Sequence, residues 1–175
     1  MREHSPAQPP IMRTVWFLGL STAALFVGIA VYLLPLTPSV VGLQFTFSEP
    51  AFLAVLQNWG SDGIARFRAH FVADYALLVC YGAFGFVFAR RTGVLSECSP
   101  MWRGALTWAL PLAALADAIE NALHLYLSSG APHVETALYP AAGGAATLKW
   151  LLIGVFVVGV ARNLGKRTGK HLAGS

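Results

Sequence analysis

Asp117, Glu120, Asn121 and His124 stand at spacings of three, four and seven residues inside the apolar stretch Gly104–Leu127. At 3.6 residues per turn those spacings put all four on one stripe of a helix. Two carboxyls, an amide and an imidazole so grouped can exchange protons, hold a cation or pair with an ammonium. Lys149, in the last apolar stretch, supplies the ammonium, and Asp74 adds a third acid. An ionisable group at the centre of a bilayer costs about 2.5–3.5 kcal/mol. These acids therefore need partners, and the partners expected are Lys149 and Asp74.

Three carboxyls against one ammonium leave two negative charges to be balanced. A retained proton, His70, His124 or a bound cation must supply the difference. If the cluster is catalytic, Glu120 or Asp74 is the candidate acid or base, with Lys149 stabilising developing negative charge. A metal site made from Asp74, Glu120, His124 and His70 has suitable donors, but the spacing matches no established ligand motif, so no metal is assigned. No cofactor motif is present, and the cofactor is unknown. The alternative for the whole set is a staple between helices, a role that buried ion pairs and a side-chain amide such as Asn121 often serve. On that reading, replacing Asp117 by Asn together with Lys149 by Met leaves the bundle intact.

The elements that must position these residues are membrane helices. The chain is 56% hydrophobic and 11% charged, far from the composition of soluble domains. Four stretches are long enough to cross about 30 Å of hydrocarbon: 14–36, 69–89, 104–127 and 139–161. The expected fold is all-α, an up-down-up-down bundle of four transmembrane helices, with a domain at 13–162 between a tail at 1–12 and a basic tail at 163–175, both mobile. The first stretch outruns a signal-peptide core and meets Pro35 and Pro38, so it reads as an uncleaved anchor.

Depth joins the cluster together. Asp117 and Lys149 each lie about 15 Å from the outer end of their helices, near the midplane. Asp74, Glu120 and His124 fall in the outer half, with His70 one turn from Asp74. Pro111 would kink the third helix before Asp117 and free carbonyls toward the site. The run Ala141–Ala146 is made only of Ala and Gly and lets another backbone approach closely. Trp16, Trp102, Tyr126 and Tyr139 read as an interfacial belt, and Trp108 and Trp150 as deeper packing groups.

Between the first two spans the segment 37–68 forms an outer lid. Val40–Phe47 has the composition of an extended run. Ser48-Glu49-Pro50 then starts a short amphipathic helix, with Ser48 as N-cap, Phe52, Val55, Leu56 and Trp59 on one face, and Gly60 as its end. That helix is expected to lie on the outer surface. Ser61-Asp62 opens a second helix that runs through Arg66, Arg68 and His70 into the membrane.

Arg2, Arg13, Arg90, Arg91, Arg103, Arg162, Lys166, Arg167 and Lys170 lie on one side, and Arg66 and Arg68 on the other. Basic residues accumulate in cytoplasmic segments, so both termini are expected in the cytoplasm. The net charge of +4 then reflects topology and anionic lipid, and nucleic acid is not an expected partner. Cys80 and Cys98 lie at depths that forbid a disulfide, and C-x-x-C is absent.

Val72-Ala73-Asp74 with Tyr81-Gly82, then Ala116-Asp117-Ala118-Ile119-Glu120-Asn121, then Thr147-Leu148-Lys149-Trp150 resemble the pattern of a family of uncharacterised bacterial four-helix membrane proteins. The resemblance spans roughly residues 40–154 and rests on D-x-x-E-N in the third helix with a Lys in the fourth. The chain departs from it in lacking Pro after Asp74. The resemblance implies a four-helix fold in the inner (cytoplasmic) membrane and carries no activity with it. Three classes of function follow from the residues. The first is a non-catalytic accessory subunit, or a binder of lipid or a small ligand, whose partners are membrane lipids, a larger membrane complex or a second copy. The others are a proton- or cation-coupled carrier and a membrane-embedded enzyme acting on a lipid-like substrate.

Overall fold

The structure, a computed structural model, describes residues 10–131 and 134–173, with side chains at 11–131 and 134–167. Of the two expected tails, residues 1–9, 174 and 175 lie outside the described residues, and so does Arg2. Five helices make up the described chain: α1 (Pro10–Leu33), α2 (Val40–Gln44), α3 (Glu49–Arg91), α4 (Pro100–Leu127) and α5 (Leu138–Ala173). Among the described residues, three helical stretches are long and apolar enough to cross a membrane: Ile11–Leu33, Glu49–Arg91 and Leu138–Arg167. α4 is not among them, because Asp117, Glu120, Asn121 and His124 interrupt its apolar run.

Several boundaries differ from the expected ones, each for a local reason. α1 stops at Leu33, ahead of Pro35, whose preceding residue is barred from helical geometry. Val40–Gln44 is a helical turn rather than an extended run: Ser39 caps it by accepting from Gly42 N at 3.2 Å, and the turn drives Leu43 into the core. Capping overrode the β-branched composition. α4 starts early, at Pro100, because Ser99 accepts from Trp102 N and Pro suits the first turn. α5 continues far past its apolar stretch, so the basic tail is helical as far as Ala173. Its extension is tied to the loop before α4 by Cys98 Sγ on Asn163 Oδ1 (3.2 Å) and by Arg167 donating to Ser96 Oγ (3.0 Å). Cys80 and Cys98 are both free thiols.

α3 is two helices in sequence. Gly60 interrupts it at φ 61° and ψ −173°, a conformation essentially restricted to glycine. Ser48 stands at the N-cap of the outer piece, but its side chain makes no cap hydrogen bond. Phe52, Val55, Leu56 and Trp59 are all buried, and Trp59 Nε1 donates to Pro38 O at 2.7 Å. The outer piece therefore turns this face into the protein as a plug and keeps Ala54, Gln57 and Asn58 exposed on the surface. Phe52 lies edge-on to Tyr139 (5.5 Å) and forms a core with Leu43, Phe67 and Phe71. Tyr139, expected in an interfacial belt, is 2% exposed within that core.

α3 packs on α1 and α4, and α4 packs on α5. Small residues set these approaches. Gly85 lies so close to α4 that an added Cβ would stand 2.5 Å from Leu110 Cβ, and Gly159 faces Leu106 equally closely. Ala142, Gly143 and Ala146 are the buried part of the small-residue run, with Gly143 against the Phe47 ring. Large apolar side chains face outward along α1 (Phe17, Leu20, Val27, Val31), α4 (Trp108, Leu112, Leu115, Ile119) and α5 (Leu151, Val155, Val158). Trp108 belongs to this outer face, 54% exposed, and is not a deep packing group; Trp150 does pack inward and donates to Gln44 Oε1 at 3.1 Å.

Candidate functional site

Between the outer aromatic core and a middle core of Leu77, Leu78, Tyr81, Leu110 and Phe156 lies the polar cluster. α4 contributes Asp117, Glu120, Asn121 and His124 from one inward stripe, all buried. The same helix turns Trp108, Leu112, Leu115 and Ile119 outward, so its two faces have opposite character. α5 contributes Lys149, which continues the buried face of Ala142 and Ala146 at helical spacing.

Lys149 Nζ lies 2.9 Å from Asp117 Oδ1 and 2.6 Å from Glu120 Oε2. The first contact is a hydrogen-bonded ion pair. The second is as close, but neither Glu120 oxygen receives an aligned hydrogen bond, so it is ionic contact without directional bonding. Glu120 also faces His124 Nδ1 at 3.6 Å through its other oxygen. The expected Asp117–Lys149 pair is thus a triad. Removing Lys149 together with Asp117 would still strand Glu120, which corrects the expectation that the double replacement is harmless.

Asp74 is only half-buried and does not touch Lys149 among the described contacts; it accepts from Asn121 Nδ2 at 2.5 Å and so joins α3 to α4. Tyr81, about two turns beyond Asp74, donates its hydroxyl to Asp117 Oδ2 at 3.1 Å. It is a site residue that sequence reasoning left out. The signal available was its spacing of seven from Asp74, which places both on one face of α3.

The two histidines are both buried. His124 is 2% exposed, stacked on Phe52 (5.8 Å, 24° between planes) with Phe67 edge-on at 6.0 Å. His70 is buried against Phe67 and Phe71, with Nδ1 on the Phe67 carbonyl. Arg68 closes the outer end by donating to Leu125 O (2.8 Å) and Ser128 Oγ (3.0 Å). Pro111 stays within a continuous α4 and meets Gly82 of α3.

Chemically, the arrangement holds one ammonium between two carboxylates, with a phenol and an amide as neutral donors. Glu120 is 0% exposed and Lys149 4%, beneath the Phe52 plug. Among the described residues no group of three His, Cys, Asp or Glu is disposed to hold a metal ion. Compared with known protein families, curated proteins and solved structures, the chain has no match.

Proposed function

We propose that the chain is a polytopic membrane protein whose polar cluster is a staple, and that it acts without catalysis, binding lipid or a small ligand either alone or as an accessory subunit of a larger membrane assembly. The burial of the whole triad carries this reading: Asp117, Glu120 and Lys149 are all buried, and the two carboxylates share the Lys149 ammonium between α4 and α5. α4 counts as a fourth span in it. Its polar stripe is turned inward and its outward stripe is apolar, so hydrocarbon would meet only Trp108, Leu112, Leu115 and Ile119. The topology is then up-down-up-down, with both termini cytoplasmic on the basic-residue count and, from the family resemblance, in a bacterial inner membrane.

A proton- or cation-coupled carrier is the second reading. Glu120 favours it, because a fully buried carboxylate without an aligned hydrogen bond is a common mark of a functional group. Catalysis has less support. Asp74 and Glu120 are engaged by different partners, Asn121 and Lys149, and do not converge on an open point. The test is proton flux into proteoliposomes carrying a pH-sensitive dye. The staple reading expects flux no greater than in empty vesicles under pH or cation gradients. Uptake that is present in the wild type and lost in Glu120→Gln would overturn it in favour of the carrier.

A further inference from the structure

Between α1 and α3 lies an open groove of about 710 Å³, walled by Ala24, Gly28 and Tyr32 on one side and Ala69, Ala73 and Cys80 on the other. Its volume is in the range of small-molecule sites. The lining runs from Tyr32 down to Ser21 on α1 and from Ala69 down to Cys80 on α3. That is three turns of each helix, about 16 Å. The walls are largely apolar, with Ser21, Tyr32, His70 and Cys80 as their polar side chains, and His70 has Nδ1 on the Phe67 carbonyl.

The Tyr32 end carries a cation. Arg66 lies 5.0 Å over the Tyr32 ring and donates Nη1 to the Tyr32 carbonyl at 3.0 Å. One donor is used there, of the five that a guanidinium has. A long, narrow apolar slot with a guanidinium at its outer end complements an anionic headgroup followed by one hydrocarbon chain. A chain already dissolved in a bilayer gains nothing hydrophobic by entering the slot. Selection must therefore come from the headgroup, and Arg66 is placed to exert it.

We infer that the α1–α3 groove binds an anionic phospholipid, one acyl chain in the slot and the phosphate on Arg66. This rests on the lipid-binding form of the function proposed above and names its ligand class. The test reconstitutes the full chain in vesicles of equal phosphatidylglycerol and phosphatidylcholine, extracts it in mild detergent and reads retained lipid by native mass spectrometry. The wild type is expected to retain phosphatidylglycerol in preference to phosphatidylcholine. Gly28→Leu fills the slot: a Cβ at Gly28 meets nothing within 4 Å, and leucine favours the helix over glycine. Retention should fall several-fold, while Gly144→Leu, an equally open position on α5, should leave it unchanged. Arg66→Gln should lower the phosphatidylglycerol preference about 5-fold, the factor for one basic residue at a membrane surface, and Arg66→Lys should keep most of it.

Equal retention in Gly28→Leu and Gly144→Leu would overturn the groove while leaving lipid binding elsewhere intact, and so would an undiminished preference in Arg66→Gln. A dimer lost only in Gly28→Leu would assign the groove to a second copy and overturn the lipid. A wild type that retains no lipid would remove the groove site and the lipid-binding reading together.

Discussion

Replacing Lys149 by Met removes the cation from both of its contacts, 2.9 Å to Asp117 and 2.6 Å to Glu120, and leaves two buried carboxyls facing each other. Breaking a buried ion pair from one side costs about 3–5 kcal/mol, because the partner is left desolvated and uncompensated. For a chain of this size each kcal/mol lowers the melting temperature by about 2–4 °C, so Lys149→Met should melt about 6–20 °C below the wild type. The triple variant Asp117→Asn, Glu120→Gln, Lys149→Met keeps the shape and removes the charge. With no charge left stranded, the triple should melt well above Lys149→Met and fall short of the wild type only by what its two buried amides lack in partners. The double variant Asp117→Asn, Lys149→Met still strands Glu120 and should stay near the single variant. Thermal unfolding in mild detergent, followed through the tryptophan emission of the five indoles, reads all four proteins. A single variant that melts within about 2 °C of the wild type would refute the triad as the staple. A triple variant as labile as the single would refute charge imbalance as the cause.

Three other positions test the packing that encloses the triad. Gly85→Ala brings a Cβ to 2.5 Å from Leu110 Cβ and should cost about 1–3 kcal/mol by overpacking, with recovery in Gly85→Ala, Leu110→Ala; Gly154→Ala, which meets nothing, is the control, and equal stability of the two single variants would contradict the close α3–α4 approach. Gly60→Ala has open space but a φ of 61° and ψ of −173°, so its cost of about 1–3 kcal/mol should be conformational and should appear as faster proteolysis between residues 56 and 64. Phe52→Ala removes the ring stacked on His124 and should cost about 3–5 kcal/mol while raising amide exchange at the outer end of α4; unchanged exchange would mean the plug does not seal the cluster.

What could be read beforehand follows from what hydrocarbon penalises. Asp117, Glu120 and Lys149 are conspicuous because each is intolerable alone in an apolar helix, and a shared depth was enough to bring Asp117 and Lys149 together. The triad was read as a pair because depth fixes a level and not an azimuth: Glu120 is one turn above Asp117, and only the packed α4–α5 face decides that one ammonium serves both. The amphipathic face of Phe52, Val55, Leu56 and Trp59 was equally legible, since burial follows helical periodicity. Its destination was not. An apolar face suits a membrane surface as well as a protein interior, and the choice was made by Tyr139 and His124 lying beneath it.

Tyr81 and the α1–α3 groove were hidden for the opposite reason. A phenol is nearly neutral in hydropathy and breaks no apolar pattern, so it reads as packing until an acid is found beside it. Gly28 and Ala24 look the same in a sequence whether another helix presses against them or leaves a slot. Along α3 both outcomes occur: Gly85 is filled by Leu110, whereas Ala69 and Ala73 line open space. Small residues alone therefore never distinguish a seam from a site. The distinction here comes from Arg66, a basic residue on the side poor in them, held over Tyr32 at the groove's outer end, where a lipid phosphate would meet it.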